Sequence, residues 1–142
     1  MIGVDCNILV QLAFADHPAN AKTVAAVQAE TDHGRQLVFP PLIATEFLHV
    51  ATDDRRFSPP LTMTEALQWM EDFLANSKVR LLQPTDESFR QTLRWMRQFR
   101  LGRKRILDTH FAAVLYTNGV RRLFSGNPAD FKVFGVLETI TV

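Results

Sequence analysis

One cysteine, Cys6, stands in the 142-residue chain. A lone thiol excludes an internal disulfide framework and a cysteine-rich zinc site. Glycine and proline are sparse, at six and seven, which excludes collagen-like and low-complexity chains. No apolar run approaches the ~20 residues that cross a bilayer. The opening Met1-Ile2-Gly3-Val4-Asp5 lacks the basic flank and long apolar stretch of a secretory signal, so a reducing cytosol is the expected location. Neither a serine nor Cys6 has the flanks of a nucleophile elbow, and no glycine-rich phosphate loop is present. His17, His33, His49 and His110 show no metal-ligand spacing such as HxxxH. An excess of one charge sign is also missing, with 16 basic against 15 acidic residues.

What remains is ordinary globular composition, 46% hydrophobic and 22% charged. It fits one domain over residues 1–142, long enough to hide roughly 70% of the unfolded chain's surface. The basic charge is local. Arg90, Arg94, Arg97, Arg100, Arg103, Lys104 and Arg105 fall in one stretch without an acid. Such a stripe suits either a phosphate-bearing partner, felt within about 8–10 Å at physiological salt, or a solvated helix face.

Short apolar runs alternate with helical patterns. Ile2–Val4, Leu37–Phe39, Val79–Leu82, Val120–Phe124 and Val136–Val142 read as strands. Helices are expected over Asn7–Ala13, from an Asp16-His17-Pro18 cap to Gly34, and over Leu42–Val50. Thr62-Met63-Thr64-Glu65 matches a capping box. Thr85 caps another helix, with Phe89, Leu93 and Met96 as its apolar stripe and Arg90, Arg94 and Arg97 on a second side. Asp108 opens the next, through Tyr116. The alternation implies an α/β domain with a mostly parallel sheet, since parallel neighbours need helical crossovers. In such sheets ligands gather at the carboxyl ends of the strands, at the switch in strand order.

Acids stand where that rule looks for function. Asp5 directly follows the first strand. Glu46 rides in the apolar stretch Leu42-Ile43-Ala44-Thr45-Glu46-Phe47-Leu48, and Asp108 lies in Ile106-Leu107-Asp108-Thr109. Asn127 and Asp130 occupy the turn after the fourth strand. Each alone also reads as a cap or an exposed helix residue. Together they suggest carboxylates sharing one hollow, which costs several kcal/mol unless a cation compensates. Oxygen ligands favour Mg²⁺ or Mn²⁺, and a carboxylate-only site with no nucleophile suits phosphodiester hydrolysis. Arg103, Lys104 and Arg105 precede Asp108 and are placed to bind phosphate. Trp69, Trp95 and Phe73 read as packing residues, and Cys6 as a buried structural thiol.

Val4-Asp5-Cys6-Asn7-Ile8-Leu9-Val10 resembles the opening of PIN-domain ribonucleases, especially VapC-type toxins. Pro41–Val50, with Glu46, is similar to the family's second block, Leu107–Ala113, with Asp108, to its third, and Phe124–Phe131 to its fourth. The blocks fall in family order and cover nearly the whole chain. The resemblance implies a three-layer α/β/α domain with a five-stranded parallel sheet. It also implies a Mg²⁺/Mn²⁺-dependent endoribonuclease, a homodimer and neutralisation by a cognate antitoxin. By position, Asp5, Glu46 and Asp108 would hold the metal, with Asn127 orienting a ligand, a water or Asp5, and Asp130 completing the acidic set. Asn7 would hydrogen-bond within the pocket, and Ser125 keeps the hydroxyl of the family's usual Thr. Both are expected at the substrate. Arg55 and Arg56 are open between RNA, antitoxin and solvent. Two rival readings are an RNA-binding PIN-fold module without catalysis and a phosphohydrolase of the haloacid-dehalogenase type. The second needs an acid where Asn7 stands.

Overall fold

The computed structural model describes residues 1–142. β1 (Ile2–Val4), α1 (Cys6–Ala13), α2 (Asn20–Asp32), β2 (Leu37–Phe39), α3 (Pro41–Ala51), α4 (Met63–Ala75) and β3 (Val79–Leu81) form the first part of the chain. After them come α5 (Asp86–Gln98), a 3-10 turn at Arg103–Arg105, α6 (Ile106–Thr117), β4 (Arg122–Phe124), α7 (Pro128–Lys132) and β5 (Glu138–Ile140). The five strands form one all-parallel sheet in the order β3-β2-β1-β4-β5. The chain steps outward from β1 to β3, then crosses back to β4 and β5. Right-handed crossovers therefore put α1–α4 on one face and α5–α7 on the other, the expected three layers.

Each strand is three residues long, and β1 and β2 are fully buried. Buried on both faces, they carry continuous apolar runs rather than alternation. Phe39, Phe47, Phe111, Phe124 and Phe131 are the largest side chains wholly inside. Gly3 lets α6 pack closely on β1: a Cβ there would stand 2.6 Å from Leu115 Cδ1 and oblige that side chain to move. Gly34 ends its helix at φ +79°, the left-handed backbone that favours glycine.

Three local expectations are corrected. α2 begins at Asn20 after Ala19, not at the Asp16-His17-Pro18 segment, because His17 Nδ1 accepts the Ala19 N–H at 3.1 Å and turns the chain before the helix. α6 starts two residues before Asp108, which sits in its first turn rather than at its cap. In α5, Phe89 and Leu93 are 57% and 53% exposed, while Ser88, Thr92 and Trp95 face inward. The Ser88 and Thr117 hydroxyls bond at 2.7 Å, and Thr92 Oγ1 bonds the Ser88 carbonyl at 2.9 Å. Satisfied hydroxyls cost little to bury, so α5 packs on α6 through its small polar face and turns its apolar stripe outward. Thr62 with Glu65 forms the expected capping box.

Candidate active site

β1 and β4 are adjacent strands on either side of the reversal in strand order, the place where a parallel sheet opens a crevice. Asp5 leaves β1 there in extended conformation and caps α1, its Oδ1 accepting the Cys6 N–H at 2.7 Å. Its Oδ2 accepts from Ser125 Oγ at 2.6 Å and from Asn7 Nδ2 at 2.9 Å. Ser125 comes directly off β4. Asn7 Oδ1 accepts the Gly126 N–H at 2.9 Å, and Ser125 Oγ accepts the Asn127 N–H at 3.0 Å. The turn after β4 is thus stitched to the start of α1, and Asp5 is held from three directions. Asp5 therefore both caps α1 and lines the site cavity.

A cavity of about 300 Å³ opens above these strand ends, lined by Asp5, Glu46, Asp108, Asn127 and Asp130. Glu46 comes from α3, Asp108 from α6 and Asp130 from α7, so both helical layers contribute. The carboxyls feel one another. Burial raises Asp5 above the usual carboxylate range, and the Asp130 charge adds to this, against hydrogen bonds from Ser125, Cys6 and Asn7. Burial is also the largest cause for Glu46, followed by the charges of Asp5 and Asp108, with Arg56 and His49 opposing. For Asp108, burial leads, then Asp130 and Asp5, with Arg105 opposing. Burial and like-charge neighbours together raise three of the acids, even though Glu46 is itself exposed, the pattern that marks a candidate site.

The remaining expected residues fall into different places. Ser125 is fully buried. Its side chain is out of reach of a substrate and positions Asp5, which departs from the expectation of substrate contact for Ser125. Asn7 makes the expected hydrogen bond within the pocket, to Asp5, and also lines the cavity. Arg103 and Lys104 are exposed on the turn before α6. Arg105 differs from them: its guanidinium donates to the Asp130 carbonyl and stands 3.8 Å from the Asp108 carboxylate. It braces two acidic segments instead of facing solvent. His110 turns toward α5, with Nδ1 3.0 Å from Thr92 Oγ1, and burial lowers its pKa. Cys6 is buried, and desolvation followed by the charges of Glu46 and Asp5 pushes its thiol up, so it stays neutral.

Arg56, His17 and Phe57 also line the cavity. The charge of Arg56 is felt by Glu46, although its guanidinium also stands 3.6 Å from Asp53, which Arg55 pairs with at 3.1 Å. No sequence signal marks His17 and Phe57, which lie in irregular segments that only the folded chain brings together.

A divalent cation is implied by the donor chemistry. No three His, Cys, Asp or Glu groups stand close enough to ligate one ion together. The set is all oxygen, however, and suits a hard cation that takes one or two carboxylates directly and keeps its waters. Arg56 and Arg105 offset Glu46 and Asp108 only in part, since both carboxyls stay raised.

The PIN-domain family model matches residues 2–135. No curated protein sequence matches the chain. Among solved structures it is similar to VapC20 of Mycobacterium tuberculosis, a sarcin-ricin loop cleaving toxin, at 15% identity and TM-score 0.72, covering 97% of this chain and 98% of that one. It is also similar to VapBC2 of Rickettsia felis, bound to a promoter DNA fragment, at 15% identity and TM-score 0.71, covering 99% and 98%. VapBC-1 of nontypeable Haemophilus influenzae is similar at 16% identity and TM-score 0.66, covering 99% and 98%. These likenesses are of fold. No helix is long and apolar enough to cross a membrane. With four acids converging over the sheet's switch point and the family model spanning nearly every residue, this chain belongs to the PIN-domain family.

Proposed function

We propose that the chain is a Mg²⁺- or Mn²⁺-dependent endoribonuclease of the cytosol, acting as the toxin of a toxin–antitoxin pair. The observation that carries this is the convergence of Asp5, Glu46, Asp108 and Asp130 in one cavity where each of the first three is raised by burial and by its acidic neighbours. Asp5, Glu46 and Asp108 would hold the cation between them, one or two by direct ligation and the rest through its waters. When bound, it supplies a lowered water pKa and charge stabilisation at a phosphate. Ser125 and Asn7 keep Asp5 aimed, since groups behind a ligand orient it. Asn127, on the turn after β4, orients a ligand, a water or Asp5, and Asp130, on α7, completes the acidic set. Arg103 and Lys104, exposed before α6, hold flanking phosphates and so position RNA without reading its sequence. An antitoxin partner and a homodimer are part of the proposal. The solved VapBC complexes with this fold support the former.

The test is cleavage of RNA with and without Mn²⁺. Asp5→Ala, Glu46→Ala and Asp108→Ala are each expected to lower the rate at least about 100-fold, the scale of losing a positioned catalytic group. Undiminished cleavage in all three ends the assignment. The absence of a ready three-carboxylate cluster favours a second reading, an RNA-binding module that does not cut. Tight RNA binding with no metal-dependent cleavage would select it.

A further inference from the structure

Beside the acidic cavity lies a second cleft of about 250 Å³, lined by Phe14, Asp16, His17, Phe57 and Ser58 with two prolines. The two hollows share His17 and Phe57 as walls, so they adjoin. Phe14 and Phe57 stack, with centroids 4.3 Å apart and planes 19° from parallel. Both rings are only partly buried. His17 is fixed in one tautomer: its Nδ1 accepts the Ala19 N–H at 3.1 Å, so the neutral ring carries its proton on Nε2, as a donor. Asp16 supplies an acceptor, and Ser58 a hydroxyl of either kind.

We infer that this cleft is a subsite for one nucleobase of single-stranded RNA, the base next to the phosphate seated over the acids. The inference rests on the nuclease reading for that phosphate. Three observations select RNA over a protein side chain. The cleft adjoins the cavity that would hold the phosphate, sharing His17 and Phe57 with it. Its volume of about 250 Å³ leaves room for a heterocycle. Its rim sets a donor and an acceptor beside an aromatic pair, the combination that stacks a base and addresses its edge.

The test is abasic scanning. A short single-stranded RNA and its derivatives, each lacking one base, are titrated into the full-length protein in EDTA, where no cleavage occurs. Phe57→Leu keeps apolar bulk against Phe14 and removes the ring, and a thermal melt confirms that it folds. Removing one particular base is expected to weaken binding to the unsubstituted protein about 5- to 150-fold, the range for a stacked base. The same removal should have little effect on Phe57→Leu, and His17→Gln should show an intermediate loss at that position alone. Equal abasic penalties in both proteins overturn the subsite, as does a folded protein that binds none of the RNAs. Unchanged RNA binding by Phe57→Leu together with lost neutralisation by the cognate antitoxin overturns it in favour of a protein-binding cleft. Metal-dependent cleavage by the unsubstituted protein, and its loss in Asp5→Ala and Asp108→Ala, is scored separately. A coupled Phe57 penalty with no cleavage by the unsubstituted protein would therefore sink the nuclease reading and keep the base subsite.

Discussion

Asp5 shows how much a single carboxylate depends on what stands behind it. Three donors converge on its two oxygens, one of them from Ser125, 120 residues away. These hydrogen bonds favour the charged form and work against burial. Ser125→Ala removes the shortest of them without touching the cavity wall. Asp5 then rises further, and the acidic limb of the pH–rate profile moves to higher pH. Metal-dependent cleavage should fall about 10- to 100-fold, the usual cost of a lost partner behind a metal ligand. An unmoved limb would show that Ser125 only packs.

Between elements, one ion-pair cluster ties α2 to the sheet edge. Arg122 on β4 donates to both carboxylate oxygens of Glu30 at 3.0 Å and lies 3.5 Å from Glu138 on β5. The Arg122 hydrogen bond is the main reason that Glu30 lies below the usual carboxylate range. A depressed carboxyl contributes stability that is present above its unfolded pKa and is lost as pH falls through the folded value. Glu30→Gln should therefore destabilise by about 0.5–1 kcal/mol at pH 7, the scale of a well-formed surface pair. Urea melts of the two proteins should draw together below about pH 4. A difference that persists at pH 3 would assign the effect to packing.

At the scale of the whole molecule, the acidic cavity sets a cost on the fold. Asp5, Glu46 and Asp108 are all raised. Groups raised in the folded state contribute stability below their unfolded pKa and lose it as pH rises through the folded values. The metal-free protein is thus penalised at neutral pH, and a cation that binds only the folded state offsets the penalty. Mn²⁺ at about 100 times its Kd should add about 2.7 kcal/mol at pH 7.5 and clearly less at pH 5, read as a shift in Tm. Glu46→Gln should raise the Tm of the metal-free protein and shrink the Mn²⁺ response. An equal response at both pH values, or in Glu46→Gln, would place the ion elsewhere.

Local chemistry wrote much of this protein into its sequence. The strands, the Thr62 and Thr85 caps, the Gly34 stop and the acids at or near strand and helix ends follow from periodicity and capping, which act over a few residues. Four blocks in family order marked the domain. Other features depend on groups far apart in the chain. Ser125 read as a substrate contact, yet it is buried behind Asp5. That Asn7 bonds Asp5 and that Arg105 reaches the Asp130 carbonyl were not visible in the sequence. The exposure of Phe89 and Leu93 was decided by the hydroxyl pairing of α5 with α6, and the union of His17 with Phe57 by two loops meeting. A sequence determines which residues can cap, pack or carry charge. Which of them share a hollow, and which stand behind one another there, is settled only when crossovers bring distant strand ends together and each buried polar group must find its partner.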